Sequence, residues 1–307
     1  MMAALFSVIF VVLGTATVVY FVAPGIVYRT AMGLARRHGR LKSKQISVAG
    51  HDVAYLEGGS GPPLILLHGF GANKDHWTLI APFLTRHYRL IVPDLPGFGD
   101  SSRRDSANYA TAPQLERIGA FADALGVDTF HLGGNSMGGY LAAMFAARNS
   151  SRVQSLWLLA PAGAMSAAPS EVLEEIEAGH NPLVTETAED FDRLTELCFT
   201  VAPPMPGQFK RPLLARAKRE AAFNQKIFEE LFADVEPLED AIAGLLTPSL
   251  VVWGDNDRIL DCSGLAIVSG LLSDAKSILM PRMGHVPMLE RPAETAASYL
   301  EFRKELA

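Results

Sequence analysis

Short apolar runs recur along the chain after residue 45, and segments with apolar residues at helical spacing separate most of them. The continuous runs predict strands buried on both faces, at Pro63–Leu67, Leu90–Val92, Phe130–Gly133, Leu156–Leu159, Leu250–Trp253 and Ser277–Met280. Helices are predicted at 75–87, at 115–125 with a cap at Gly126, and at 293–306. This alternation predicts an α/β fold with a mostly parallel, doubly wound sheet.

The first two strands differ from the rest. Polar and apolar residues alternate over Gln45–Val48 and His51–Leu56, with Ala49-Gly50 between them. This pattern predicts an antiparallel pair joined by a tight turn.

The alternation of strand and helix stops between Pro161 and Thr247. Apolar residues there fall at helical spacing over Phe191–Cys198 and Leu214–Phe232. We predict a core of residues 45–160 and 247–307, and a helical cap of residues 161–246. The cap would cover the carboxyl edge of the sheet, where such folds bind ligands.

The first 28 residues contain no Asp, Glu, Lys or Arg. As a helix, Ala3 to Val27 would measure about 37 Å, enough to cross a hydrocarbon core of about 30 Å. A signal peptide would carry a basic residue before the apolar run, and a core helix would carry a polar stripe, but this stretch has neither. Residues 1–28 are therefore predicted to form a transmembrane anchor that ends near Pro24-Gly25.

A basic segment, residues 29–44, follows the predicted anchor, and no acid occurs before Asp52. Such a segment would rest on anionic lipid headgroups, although a solvated linker would have the same composition. By the positive-inside rule the catalytic domain faces the cytoplasm, while charge alone leaves an extracytoplasmic placement open. Small residues around Gly14 would permit two anchors to pair as a homodimer.

Composition narrows the remaining choices. The 307 residues carry a formal net charge of −6, which argues against nucleic acid as the main partner. Cys198 and Cys262 lie far apart without ligand spacing to histidine, and are predicted to be buried free thiols. Since no histidine matches a metal-ligand spacing, neither a metal nor another cofactor is predicted.

One short stretch, Gly134-Asn135-Ser136-Met137-Gly138-Gly139, lies between an apolar strand and a small-residue helix. The pattern Gly-x-Ser-x-Gly in that setting is typical of a nucleophile elbow, a sharp turn that exposes the serine hydroxyl above the sheet. Ser136 is therefore the candidate nucleophile. A chance glycine-rich turn would have the same bare pattern, so the assignment depends on finding a base and an acid.

A serine hydroxyl needs a base, and the base needs an orienting acid. After Ser136 the histidines are His180, within the cap, and His285, which follows the last strand where a loop can reach the elbow. His285 is the predicted base. The acid is expected after the preceding strand, where both Asp255 and Asp257 occur. Asp257 lies farther beyond the strand end and is preferred, since Asp255 would cap the turn itself.

The oxyanion that forms during ester cleavage needs backbone donors. One predicted donor is the amide of Met137, and the other is the amide of Phe70 in the loop His68-Gly69-Phe70-Gly71. His68 is expected to hold this loop by hydrogen bonds rather than to act as a base. Asp94, which follows a buried strand, is expected to be a turn residue rather than a base.

Five motifs in this order resemble the α/β-hydrolase superfamily over everything after about residue 44: His68–Gly71, Asp94–Gly99, Gly134–Gly139, Trp253-Gly254-x-x-Asp257 and Gly284-His285. The chain looks most similar to membrane-anchored monoacylglycerol lipases and lysophospholipases, and to bacterial lipases and phospholipases A. This likeness extends to Asn73–Asp75, Pro161–Gly163, Asp261–Gly264 and His285–Glu290. The resemblance implies a triad of Ser136, Asp257 and His285.

The leading hypothesis is a membrane-anchored serine hydrolase that cleaves carboxylic esters of acylglycerols, lysophospholipids or phospholipids through an acyl-enzyme. Its expected partners are a fatty-acyl ester substrate and the bilayer. Apolar cap residues would line an acyl pocket or form ordinary cap core, namely Leu194, Phe199, Val201, Phe209, Leu213, Leu214, Phe223, Phe228 and Phe232. The alternatives are a carbon–carbon bond hydrolase of ring-cleavage products, which would want a cation such as Lys210 or Arg211 facing the nucleophile, and a non-catalytic ligand receptor on the same fold.

Overall fold

A computed structural model describes residues 20–233 and 235–306 of the chain. Eight strands form one sheet in the order β1-β2-β4-β3-β5-β6-β7-β8. They are β1 (Leu41–Val48), β2 (His51–Gly58), β3 (Pro63–Leu67), β4 (Arg89–Pro93), β5 (Phe130–Ser136), β6 (Val153–Pro161), β7 (Ser249–Gly254) and β8 (Ala275–Met280). The strand pairs from β4 to β8 are parallel, which confirms the predicted α/β fold.

The antiparallel pair at the start is also confirmed. Strands β1 and β2 pair with Val48 opposite His51, and Ala49 and Gly50 turn the chain with positive φ angles of 47° and 76°. Strand β2 is antiparallel to β4 as well, so the sheet has one antiparallel end.

The buried strands are apolar throughout because both faces of the sheet are covered. In β3, Ile65 and Leu67 join one core cluster, while Leu64 and Leu66 join the other. Successive side chains of a strand point to opposite faces, so a strand covered on both sides cannot alternate with polar residues.

Some of the helices pack on these two faces, and others lie in the chain between β6 and β7. In chain order they are α1 (Pro24–His38), α2 (Ala81–Leu84), α3 (Thr111–Ala124), α4 (Met137–Arg148), α5 (Glu171–Glu177), α6 (Ala188–Cys198), α7 (Gly207–Phe232), α8 (Leu238–Ala241), α9 (Gly264–Leu271), α10 (Pro287–Glu290) and α11 (Pro292–Glu305). The predicted cap at Gly126 has φ 65°, and the last helix lies within one residue of its predicted bounds.

The helix predicted at 75–87 is wrong as one element. The structure has a short 3₁₀ turn, Lys74–Trp77, and then the four-residue α2. Pro82 lies in the first turn of α2, where proline starts a helix readily but cannot continue one from before. Asn73 caps the 3₁₀ turn by accepting a hydrogen bond from the amide of Asp75.

The region predicted as a cap contains α5 to α8 and no strand among its described residues. Helix α7 begins at Gly207, earlier than the predicted Leu214, and contains Pro212. Pro212 has no amide hydrogen and cannot donate to the carbonyl of Gln208, so one backbone hydrogen bond of the helix is missing there. The 26 residues of α7 make it the longest helix in the described chain.

Residues 1–19 of the predicted anchor, residues 1–28, lie outside the described residues, as does Gly14 of the predicted anchor pairing. No helix within residues 20–233 and 235–306 combines the length and the apolar character needed to cross a bilayer. Helix α1 starts at Pro24 and runs through the predicted boundary at residue 28 into the basic segment. It packs on α7, where the rings of Tyr28 and Phe209 meet edge to face.

The basic segment is partly neutralised by the core. The guanidinium group of Arg36 donates two hydrogen bonds to the carboxylate of Asp75, at 2.7 and 2.6 Å. Lys44 forms an ion pair with Glu57 of the neighbouring strand. These two cations are therefore paired with acids of the core in the described structure.

Candidate active site

Ser136 ends β5, and α4 begins at the next residue. Its backbone has φ 57° and ψ −121°, a conformation that residues other than glycine rarely adopt. The residue is half-buried, so part of it remains open to solvent. A strained serine between strand and helix is the geometry expected of a nucleophile elbow.

Two glycines allow this turn. A Cβ at Gly134 would lie 2.2 Å from the carbonyl oxygen of Gly138, and a Cβ at Gly138 would lie 2.4 Å from that of Leu67. Both distances are far below van der Waals contact with backbone atoms that cannot swing away. The helix can therefore pass this close to β5 and to the end of β3 only with glycine at both positions.

His285 and Asp257 meet directly. Nδ1 of His285 lies 2.7 Å from Oδ2 of Asp257, and both side chains are buried. The other carboxylate oxygen of Asp257 accepts hydrogen bonds from the amides of Ile259 and Leu260, at 2.9 and 3.0 Å. Asp255 instead faces the amide of Met283 at 3.3 Å, in keeping with its predicted turn role.

His180, the other candidate base, lies in the cap among acids. Its Nδ1 is 3.1 Å from Glu175, and more than half of its side chain is exposed. The structure therefore separates His180 from the elbow and pairs His285 with the predicted acid.

Asn135 is a site residue that the sequence reasoning missed. Its buried amide nitrogen donates to the carbonyl of Leu159 on the neighbouring strand and to the carbonyl of His285, both at 3.0 Å. Since Asn135 immediately precedes Ser136, this contact ties the loop of His285 to the elbow. The sequence does contain a signal for this role. An asparagine, whose side-chain amide has two donor hydrogens, directly precedes the candidate nucleophile at the end of an apolar strand.

The loop after β3 lies against the elbow. A Cβ placed on Gly69 would be 3.3 Å from the Cβ of Ser136. Met137 is the first residue of α4, so its amide has no acceptor within the helix. Phe70 and Met137, the predicted oxyanion donors, thus lie in the two backbone segments that flank Ser136.

His68 organises this loop, as predicted. Its Nδ1 lies 2.8 Å from the carbonyl of Gly69, and its Nε2 accepts a hydrogen bond from the amide of Leu95 at 3.0 Å. Burial lowers the pKa of the imidazole to about 4. The ring is therefore neutral at pH 7, with Nδ1 as donor and Nε2 as acceptor.

Asp94 does more than the predicted turn role. Its buried carboxylate accepts from the amide of Lys74, from the ammonium of Lys74 and from the amide of Asp100, at 2.6, 2.6 and 2.7 Å. Burial raises the pKa of Asp94, and these donors oppose that rise. The cluster fastens the end of the oxyanion loop to the loop after β4.

The cap reaches the site through several contacts. The ring of Phe228 on α7 meets the ring of Phe70 edge to face, with centroids 5.7 Å apart. The amide of His285 donates to the carbonyl of Cys198 at the end of α6, at 2.9 Å. Cys198 and Cys262 are half-buried free cysteines rather than fully buried ones.

Helix α5 lies against the loop that carries Asp257. Arg258 and Arg193 form ion pairs with Glu171, and these guanidinium groups lower its pKa to about 2. The hydroxyl of Ser170 donates to the carbonyl of Ile259 at 2.8 Å. The acid loop is thus bonded to the cap as well as to the histidine.

The cap residues predicted to line an acyl pocket divide into several groups. Phe228 packs on the oxyanion loop, whereas Phe223 contacts Tyr109 and Phe209 contacts Tyr28. Val201 is 75% exposed on a loop before α7. Among the described residues no group of three His, Cys, Asp or Glu side chains is placed to hold a metal ion.

Comparison with known proteins places this geometry in a family. A sequence model of the α/β-hydrolase fold matches residues 62–292. Lipase 1 of Psychrobacter immobilis is 38% identical over 88% of this chain and 87% of its own length. A monoacylglycerol lipase of Xenopus laevis is 30% identical, over 81% of this chain and 77% of its own.

A solved structure has the same architecture. The crystal structure of a bacterial membrane phospholipase A superposes with a TM-score of 0.90 and 43% identity, and 99% of each chain is covered. With its strained elbow serine and its buried His–Asp pair, the chain belongs to the α/β-hydrolase family, in which it is a carboxylic ester hydrolase.

Proposed function

We propose that this protein hydrolyses carboxylic esters of lipids through an acyl-enzyme, with Ser136, His285 and Asp257 as the catalytic triad. The observation that carries the proposal is the 2.7 Å contact between His285 and Asp257 in a loop bound by Asn135 to the elbow. Asp257 would hold the imidazole with its proton on Nδ1, which leaves Nε2 free to accept the serine proton.

In the first half of the reaction, Ser136 Oγ attacks the ester carbonyl while His285 takes its proton. The carbonyl oxygen gains negative charge and is bound by the amides of Phe70 and Met137. His285 then gives the proton to the departing alcohol, which leaves an acyl group on Ser136. In the second half, water attacks this acyl group while His285 takes its proton. His285 then gives that proton to Ser136 Oγ as the acyl bond breaks, and the fatty acid is released.

The lipid nature of the substrate is supported by the relatives, whose names are lipase, monoacylglycerol lipase and membrane phospholipase A. It is also supported by the apolar aromatic contact of Phe228 with the oxyanion loop. The carbon–carbon bond hydrolase is less well supported. Lys210, one of the cations it would need, is paired with Asp192 on the cap surface.

We further propose that residues 3–27 anchor the enzyme in a membrane, with the catalytic domain on the cytoplasmic side. The part of this stretch that the structure describes starts at residue 20. Its apolar side chains are exposed to solvent, with Phe21 at 64% and Val22 at 75% exposure. An anchor would hold the pocket beside the phase in which acyl lipids dissolve.

The substrate class is tested by a panel of mono- and diacylglycerols, lysophospholipids and phospholipids, with purified wild type and Ser136→Ala. We expect turnover of at least one class by the wild type and a loss on the order of 10⁴-fold or more in the variant. An equal melting temperature for the two proteins shows that the fold is intact. Turnover by Ser136→Ala near the wild-type rate would refute the triad.

The anchor is tested by deletion of residues 1–22, which spares α1 and its contact with α7. We expect the shortened protein to leave the membrane fraction and to retain hydrolysis of a short-chain ester. Sedimentation of the shortened protein with membranes after a salt wash would contradict the anchor.

A further inference from the structure

The buried side of cap helix α7 contains one amide. Its buried residues are Ala221, Asn224, Ile227 and Leu231. They recur at intervals of three and four, so they form one stripe along the helix. Asn224 is the polar member of that stripe, and its residue is 6% exposed.

Asn224 lies above the oxyanion loop. A Cβ placed on Gly71 would be 4.0 Å from Nδ2 of Asn224. Phe228, one turn further along α7, contacts Phe70 in the same loop. The other end of this loop, Gly69, lies against Ser136, as described above. The amide therefore faces the loop that borders the proposed reaction centre.

The carbonyl oxygen of this amide is unpartnered. Within the described residues, Oδ1 of Asn224 is buried and has no hydrogen-bond donor. A buried polar atom without a partner costs about 1–3 kcal/mol, and an apolar residue would fit the stripe without that cost. A side chain that lowers stability in this way beside an active site is typical of a group that binds substrate.

We propose that Oδ1 of Asn224 is a specificity determinant that accepts a hydrogen bond from a free hydroxyl on the alcohol part of the substrate. This inference rests on the proposed ester hydrolysis. Ester and ether oxygens only accept hydrogen bonds, so they cannot satisfy Oδ1, whereas a hydroxyl can donate. The site therefore prefers esters of partly acylated polyols to esters of the same acid whose alcohol has no hydroxyl.

Two substrates separate this effect from hydrophobic binding. In 2-hydroxyethyl decanoate and propyl decanoate the acyl chain and the scissile bond are the same, and a hydroxyl in one replaces a methyl group in the other. We expect the wild type to favour the hydroxyethyl ester in kcat/KM by about tenfold, as one buried hydrogen bond allows. In Asn224→Leu this preference should fall about tenfold, through loss of hydroxyethyl ester turnover alone.

The matched control is Gln225→Leu, which removes a neighbouring amide that is bonded to Glu229 on its own helix. It should keep the preference. Because Asn224→Leu removes an unpartnered polar atom, its melting temperature should equal or exceed that of the wild type.

Each other outcome has a definite meaning. If the wild type has nearly equal kcat/KM values for the two esters, the inference is overturned without any variant. It is also overturned by a preference that persists in Asn224→Leu, or by a clear fall in the melting temperature of that variant, since Oδ1 would then be satisfied within the protein. Failure of the wild type to hydrolyse either ester would instead refute the proposed function.

Discussion

On the sheet side of the site, backbone segments approach so closely that Gly134 and Gly138 have no room for a methyl group. On the cap side the backbone meets the core at Cys198, whose carbonyl accepts from the amide of His285, and long polar side chains reach across elsewhere. Arg216 of α7 is 3.2 Å from Asp100, and Glu230 accepts from the amide of Tyr109 at 2.7 Å. Close backbone packing permits one arrangement, whereas pairs of flexible side chains permit several of similar energy.

This difference suggests a division of labour. The sheet side positions the proposed nucleophile, base and acid by close backbone packing and buried hydrogen bonds, and covalent catalysis needs such fixed geometry. The cap side would choose the substrate, through apolar contact and a single amide. Substitutions should therefore affect the rate of reaction most on the sheet side and the choice of substrate most on the cap side.

The largest expected effect is at the proposed acid. Asp257→Asn keeps the shape of the side chain but favours the wrong tautomer of His285, so kcat should fall about 10⁴-fold. Asp255→Asn alters an exposed carboxylate two residues away that does not contact His285, so it should change kcat by less than about threefold. Initial rates on a short-chain ester measure both. Equal losses in the two variants would contradict the assignment of the acid.

Close packing at the elbow predicts the next effect. A methyl group at Gly138 would lie 2.4 Å from a backbone oxygen of β3, so Gly138→Ala should lower the free energy of unfolding by about 3 kcal/mol. Gly270→Ala is the control, because nothing lies within 4 Å of its Cβ position in α9. Urea unfolding compares the two proteins. A neutral Gly138→Ala would show that the sheet side is less tightly packed than described.

The loss of folding stability at low pH should also arise on the sheet side. Burial lowers the pKa of His131 on β5 to about 4 from 6.5, so the unfolded chain binds this proton at a higher pH than the folded chain. Its stabilising contribution is therefore full above pH 6.5 and is lost as the pH falls toward 4, by about 2 kcal/mol between pH 7 and pH 5.

The variant His131→Gln tests this, with the exposed His87→Gln as control. Denaturant unfolding gives the free energy of unfolding at pH 7 and at pH 5. The decrease between these two pH values should be about 2 kcal/mol smaller in His131→Gln than in the wild type. The same loss in both proteins would show that protonation of His131 does not contribute.

The smallest effect is expected from a cap ion pair. Arg216→Met removes the contact with Asp100, and such partly exposed pairs contribute about 1 kcal/mol or less. We expect kcat to stay within about threefold and the melting temperature to fall slightly. Arg219→Met is the control, since Arg219 bonds a carbonyl of its own helix. A loss of kcat as large as that of Asp257→Asn would abolish the contrast between the two sides.

Features set by local sequence could be predicted, and features set by contacts between distant residues could not. The parallel sheet, the antiparallel start and the elbow were predictable, because continuous apolar runs and glycine spacing follow from local geometry. The break between Lys74–Trp77 and α2 was missed although Pro82 marks it, whereas the buried pair of Lys74 with Asp94, twenty residues away, does not follow from local sequence. Asn135 and Asn224 were missed because their contacts, with the carbonyl of His285 and with the loop at Gly71, join residues that lie far apart in the sequence.

The central claim, that Ser136 is an activated nucleophile, is tested most directly by covalent labelling. The purified enzyme is treated with a fluorophosphonate and its peptides are analysed by mass spectrometry. We predict one adduct per chain, on the peptide that contains Ser136, formed far more slowly in Asp257→Asn and absent from Ser136→Ala. Stoichiometric labelling of another residue with loss of activity, or labelling of Asp257→Asn at the wild-type rate, would contradict the account.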